Sequence, residues 1–232
     1  RSRGLGDVYK RQYQNKKKRV ELARKFIQGA AWNMVMNLNY YNRRGKDLQD
    51  IIDTIKRLSN TLPDAKAVDE IMGIEGNIRQ AYYAAFDIIL DDFNMGARTK
   101  QPPENEVNAL ISFGNMMCYA ETLRAIHQTQ LNPTISFLHT PGERRFSLCL
   151  DISEIFKPII VDRVIFKVLN KHTLNSSHFD RKLNKCLLNE RGKKIFVKAM
   201  EERYDETFRH RSLGRNVSYL SLIHISEPTR PY

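Results

Sequence analysis

Four residues have the types and spacing to do chemistry together: Glu75, His139, Asp151 and Glu154. Asp151 and Glu154 stand three positions apart in FSLCLDISEIF, so on a helix they share a face. Leu148, Leu150, Ile152, Ile155 and Phe156 surround them. A charged group in so apolar a run must be paired, bound to an ion or turned to water. His139 closes the short apolar stretch ISFLH, twelve residues before Asp151 and just ahead of Thr140-Pro141-Gly142. A side chain at the mouth of a turn is well placed to line a site. Glu75 lies between Gly73 and Gly76, with Arg79 one helical turn on. Two carboxylates and one imidazole form an oxygen-rich donor set that suits Mg²⁺ or Mn²⁺ better than zinc. Each residue also has a plainer reading. A histidine beside a turn can be structural, a D-x-x-E pair can be a solvated edge or an arginine partner, and Glu75 can pair with Arg79 at i+4 for about 0.3–0.5 kcal/mol. Spacing alone stops at a basic helical domain with a candidate metal site.

The elements that must position these residues read as helices. VELARKFIQGAAWNMVMNLNYY puts Leu22, Phe26, Ala30, Asn33 and Asn37 on one face, beside Val20, Ala23 and Ile27. Its two asparagines keep that face from being purely core. KDLQDIIDTIKRLSN is amphipathic through Leu48, Ile51, Ile52, Ile55 and Leu58, and Pro63-Asp64 breaks the chain after it. AKAVDEIMGIEGNIRQAYYAAFDIIL is a long helix whose two glycines cost about 1 kcal/mol each against alanine and would let another backbone come close. DDFNMGARTKQPPEN is a loop stopped by Pro102-Pro103. NEVNALISFGNMMCYAETLRAIHQTQ is helical, LNPTISFLHTPGERR is a turn-rich connector, and FSLCLDISEIFKPIIVDRVIFKVLNK is a long apolar helix distorted near Pro158. A short β-hairpin falls near 185–195, followed by a final helix. The fold class is mainly α.

Bulk composition narrows the partners. The 232 residues carry a formal net charge of +12, with 41% hydrophobic and 28% charged residues, an ordinary globular balance whose basic excess favours a polyanion such as nucleic acid. No run approaches the length needed to span a bilayer, so no membrane partner is expected. Cys118, Cys149 and Cys186 form no CxxC pair and indicate neither a zinc knuckle nor a disulfide framework; a reducing cytoplasm is the expected compartment. The ends, RSRGLGDVYKRQ (1–12) and 220–232 with SLIHISEPTRPY, lack periodicity and cap logic and read as adaptor-like, non-native segments. Removing them leaves the chain strongly basic. The domain is therefore expected over 13–219, with the two ends making no stable tertiary contacts.

Three segments go further. IMGIEGNIRQAYYAAF (71–86), LISFGNMMCYAETLRAI (110–126) and PTISFLHTPGERRFSLCLDISEIFKPIIVDRVIF (133–166) occur in an order and spacing that resemble the CRISPR-associated spacer-acquisition integrases, the Cas-one family, and especially its type I-B-like members. KCLLNERGKKIFVKAMEERYDETFRHR and RNVSY add to the likeness, which spans 13–219. The resemblance implies the C-terminal helical catalytic domain of that family, without its N-terminal β domain. It implies that Glu75, in its EG-x-x-R-x-x-Y context with Gly76, Arg79 and Tyr82, binds a divalent ion together with His139 and Glu154, the second acid of D-x-x-[D/E]. Asp151 joins this catalytic set as a support. The implied activity is that of a Mg²⁺- or Mn²⁺-dependent DNA endonuclease and integrase of adaptive antiviral defence. A spacer 3′-hydroxyl would attack a phosphodiester at the repeat boundary. Arg79, Arg144, Arg145 and Lys157 are the candidates for DNA contact. The implied partners are double-stranded DNA, a second copy in a homodimer and the small Cas-two dimer. Two alternatives stay open: a nonspecific metal-dependent nuclease on branched DNA, separable by its products, and a non-catalytic DNA-binding helical module, which would tolerate loss of the ligands. Absence of the β domain would also leave an apolar patch uncovered on the first helix, around Phe26, Ala30 and Trp32.

Overall fold

The computed structural model describes residues 13–139, 146–210 and 214–225. Arg144, Arg145, the Thr140-Pro141-Gly142 turn and the first twelve residues lie outside the described residues.

The frame is a set of packed helices around one long one. Helix α1 (Lys16–Asn42) starts where the Asn15 side chain accepts from Lys18 N at 3.2 Å, a side-chain cap on an otherwise orphaned donor. It buries Ala23, Phe26, Ile27, Ala30, Ala31, Met34 and Leu38. Helix α2 (Gln49–Asn60) folds back through Ile52 and Ile55. A 3₁₀ turn at Leu62–Asp64 leads to α3 (Val68–Ala84) and the short α4 (Phe86–Ile89). After the 90–105 loop come α5 (Glu106–His127) and α6 (Ser147–Phe156). Helices α1 and α5 both pack on α6, and α3 packs on α1.

The expected distortion at Pro158 is a π-helical turn, Pro158–Asp162, that runs into α7 (Arg163–Asn170). Proline has no N–H to give the preceding turn, and Asp162 N reaches back five residues to Lys157 O at 3.0 Å. The carbonyls loosened there are taken by side chains. Asn33 Nδ2 donates to Ile155 O at 2.7 Å, Asn37 Nδ2 to Pro158 O at 3.1 Å and Arg203 Nε to Ile159 O at 2.9 Å. This accounts for the polar positions in the apolar stripe of α1: both asparagines satisfy backbone groups of the α6–α7 break. Gly114 on α5 permits the π turn to approach, since a Cβ there would stand 2.5 Å from Val161 Cγ1.

Several expectations are corrected. The hairpin sits earlier than 185–195: β1 (Phe179–Lys182) pairs antiparallel with β2 (Lys185–Leu188) around Leu183-Asn184, where Asn184 takes φ 58°. Asn tolerates that left-handed conformation better than most residues. Residues from 190 onward are already helix α8 (Glu190–Asp205). A second small ladder, β3 (Thr207–Arg209) with β4 (Asn216–Ser218), has no counterpart in the sequence reading. Residues 220–223 do make tertiary contacts. They lie in α9 (Tyr219–Ile225), which packs on α5 and α8 and leaves Ile223 4% exposed. Gly73 and Gly76 face open space rather than a close backbone. On α1, Phe26 and Ala30 are core, and the exposed apolar side chains are Trp32 at 68% and Met36 at 52%.

Candidate active site

Asp151 organises the site. It is fully buried on α6, and both its oxygens are used. Oδ2 accepts from Phe137 N at 2.6 Å and Leu138 N at 3.0 Å; Oδ1 accepts from His139 N at 3.2 Å and contacts His139 Nδ1 at 2.7 Å. One carboxylate thus pins the segment that carries His139 onto α6 and holds the ring by one nitrogen, leaving Nε2 for the cavity beyond. Burial opposes the charged imidazole, but the Asp151 bond outweighs it, and the His139 pKa rises above its ordinary value. Asp151 is therefore a positioning residue with no oxygen left for an ion.

Glu154, one turn on, is 8% exposed. Its oxygens meet Arg79 Nη2 and Lys157 Nζ. Burial would raise its pKa; the two cations outweigh that and hold it down to about 2. Arg79 also donates from Nε to Glu75 Oε1 at 2.5 Å. The i+4 pair foreseen as the plain reading of Glu75 thus exists, and the same guanidinium bridges to Glu154. Among the described residues no three His, Cys, Asp or Glu side chains are grouped to hold a metal ion. The expected meeting of the Glu75, His139 and Glu154 head groups at one point is thereby corrected: Glu75 reaches Glu154 only through Arg79. The physical reason is charge balance, because a buried and a partly buried carboxylate need a cation between them. Arg79 is thus paired to both carboxylates, while Lys157, paired to Glu154 alone, lines the cavity.

That cavity, of about 450 Å³, brings His139, Glu154 and Lys157 together with Arg98, Lys100 and Asn115. The sequence reading missed the last three. Asn108, Ser112, Asn115 and Tyr119 recur at helical spacing along α5, a polar row in an apolar helix that was legible as a lined face. Asn108, fully buried, holds the 90–105 loop: its Oδ1 accepts from Thr99 N at 3.1 Å and Arg98 Nη1 at 2.9 Å, and its Nδ2 donates to Ala97 O at 2.9 Å. Arg98 also donates to Ser112 Oγ at 3.1 Å. The Asn115 Oδ1, buried in the same wall, has no hydrogen-bond partner, and a buried acceptor left so invites a donor or a cation. Behind the site, Asn37 Nδ2 donates to Tyr82 Oη at 2.8 Å, and Tyr82 in turn bonds Asp162, whose pKa burial pushes up to about 7.

The donor chemistry fits a divalent cation. His139 presents Nε2 with Nδ1 held by a carboxylate, the arrangement typical of ligating histidines. Glu154 is charged, Asn115 offers a free oxygen, and a positive group already lies between Glu75 and Glu154.

The family description "CRISPR associated protein Cas1" matches residues 4–202. The chain is 49% identical over 210 residues to a "CRISPR-associated endonuclease Cas1 2" of Thermodesulfovibrio yellowstonii, covering 90% of this chain and 64% of that one. A solved Cas1 protein from Thermotoga maritima is 40% identical, with TM-score 0.83 over 94% of this chain and 66% of its own. A casposase bound to its integration product and a partial Cas6-RT-Cas1–Cas2 complex share the fold at TM-score 0.84, with 22% and 16% identity. They cover 94% and 95% of this chain, and 64% and 66% of their own chains. The chain thus spans somewhat under two thirds of the length of the Thermodesulfovibrio relative. Among the described residues no helix is long and apolar enough to cross a membrane. With the fold, the motif residues and these likenesses in agreement, the chain belongs to the Cas1 family of CRISPR-associated proteins.

Proposed function

We propose that this chain carries the catalytic centre of a divalent-metal-dependent DNA endonuclease and integrase that inserts spacer DNA into a CRISPR array. The observation that carries the reading is the meeting of His139 and Glu154 in one basic cavity, with His139 locked by buried Asp151. His139 Nε2 and Glu154 would hold Mg²⁺ or Mn²⁺, with the Asn115 oxygen beside them and Glu75 linked to Glu154 through Arg79. When bound, such an ion supplies charge that eases ionisation of the attacking hydroxyl and offsets charge on the phosphate. Lys157, Arg98 and Lys100 grip phosphate oxygens along the wall. The spacer 3′-oxygen bonds to phosphorus as the repeat strand's own bond to that phosphorus breaks. The hydroxyl proton leaves to solvent and the departing oxygen takes one up. One phosphodiester replaces another, so no energy source is needed. The proposed partners are double-stranded DNA and a Cas2 dimer, for which the likenesses to a casposase bound to its integration product and to a Cas1–Cas2 complex speak, and a second copy of the chain; the proposed compartment is the cytoplasm, where buried, unbridged Cys118, Cys149 and Cys186 are at home.

His139→Ala tests the reading. The joined product should disappear while duplex binding stays nearly intact, because phosphate contacts spread over many Lys and Arg supply the affinity. Products that are only shortened in the unaltered protein favour a simple nuclease; activity unchanged by the substitution sinks the catalytic reading.

A further inference from the structure

A second groove, not lined by His139, opens on the other side of α6. Along α6 and the π turn that follows it, residues 150, 153, 154 and 157 face the catalytic cavity, whereas Ile155 and Ile159 open onto a groove of about 670 Å³. Its spine is a row on α1 at four-residue spacing, Trp32, Met36 and Tyr40, about 12 Å long at 1.5 Å per residue, with Arg44 in the turn just past the helix end. Trp32 is 68% exposed. At the far end the Arg44 and Arg163 guanidiniums each lie 3.6 Å from the Tyr40 ring centroid. Arg43 stands beside them. Among the described residues, none of these three arginines is in an ion pair, and no acidic side chain lines the groove. The Tyr40 ring thereby holds two guanidiniums in place, and their outward N–H groups suit an anion running past the ring. Arg163 and Arg44 continue into a second depression with Lys167, Lys171 and Glu206, where Lys167 is paired to Glu206 and Lys171 adds a further cation.

We propose that this groove binds a stretch of single-stranded DNA, separately from the catalytic cavity. An exposed indole beside arginines outside any ion pair is what an unstacked base and its phosphates require, and a plain anion would leave Trp32 and Met36 without a role. A rigid duplex presents no bases to Trp32. The choice of DNA over RNA rests on the proposed function; the groove itself does not.

Trp32 is the only tryptophan in the sequence, so its emission reports on the groove directly. Titration with single-stranded oligodeoxythymidylate should quench it, with an affinity that falls steeply with salt. Trp32→Ala, followed by anisotropy of a labelled strand, should weaken binding about tenfold, the scale of one stacked base. The exposed pair R43Q/R44Q should weaken it by a similar factor, and R43K/R44K should largely restore it. His139→Ala should leave the titration unchanged, which keeps a failure of the proposed chemistry distinct from a failure here. Equal quenching by tripolyphosphate, tighter binding of duplex, binding of oligouridylate as tight as DNA, or strand binding that ignores both Trp32 and the arginine pair would each overturn the proposal.

Discussion

Asp151→Asn separates the two jobs of the buried carboxylate. An asparagine has the same shape but only one acceptor oxygen, and its amide nitrogen must replace the other. Placing the nitrogen where Oδ2 stands would set it against two backbone donors, Phe137 N at 2.6 Å and Leu138 N at 3.0 Å. Placing it at Oδ1 sets it against only the longer His139 N–H, at 3.2 Å, because the imidazole can adapt. The second arrangement wins. It leaves one buried N–H unsatisfied, at about 1–3 kcal/mol, and lowers the melting temperature by about 2–12 °C for a domain of this size. It also makes His139 Nδ1 an acceptor, which moves the ring proton to Nε2 and removes the lone pair facing the cavity. The prediction is a modest loss of stability with a near-complete loss of strand joining. Nitrogen NMR of labelled histidine at mildly alkaline pH reads the tautomer directly: Nδ1–H in the unaltered protein, Nε2–H in the variant. Retention of the Nδ1–H form, or full joining activity by the variant, would refute the reasoning.

Other perturbations test other links. Gly114→Ala places a methyl 2.5 Å from Val161 Cγ1 and 3.3 Å from the Phe196 ring; this overpacking should cost about 1–3 kcal/mol in thermal unfolding, and an unchanged melting temperature would show that the π turn yields freely. Asp162 is raised from 3.8 to about 7 by burial, so the folded state holds a proton that the unfolded chain has lost; that contribution is full below the unfolded value and disappears as pH rises through about 7. Asp162→Asn should flatten the fall in stability between about pH 4 and pH 7, as followed by denaturant titration at a series of pH values. Mn²⁺ binding followed by calorimetry should strengthen as pH climbs past the raised pKa of His139, since proton and ion compete for the ring; binding indifferent to pH and to His139→Ala would remove this residue from the ligand set.

The sequence by itself determined the helical class, the break at Pro158, the basic charge and the motif residues Glu75, His139, Asp151 and Glu154. These are local matters: periodicity sets which face is apolar, and a proline removes a donor wherever it falls. It also contained the meaning of Asn33 and Asn37 without disclosing it, because their partners, the carbonyls of Ile155 and Pro158, lie more than a hundred residues away. Only the tertiary structure decided what the charged groups do. Arg79 was legible as a phosphate contact or an i+4 partner, but its bridge to Glu154 depends on α3 and α6 both packing on α1. Asp151 and Glu154 share one helix face in the sequence, yet burial gives Asp151 three backbone donors and the His139 ring, and gives Glu154 two cations. Pairing and burial are long-range quantities, set by which elements the core brings together, and no spacing along the chain encodes them.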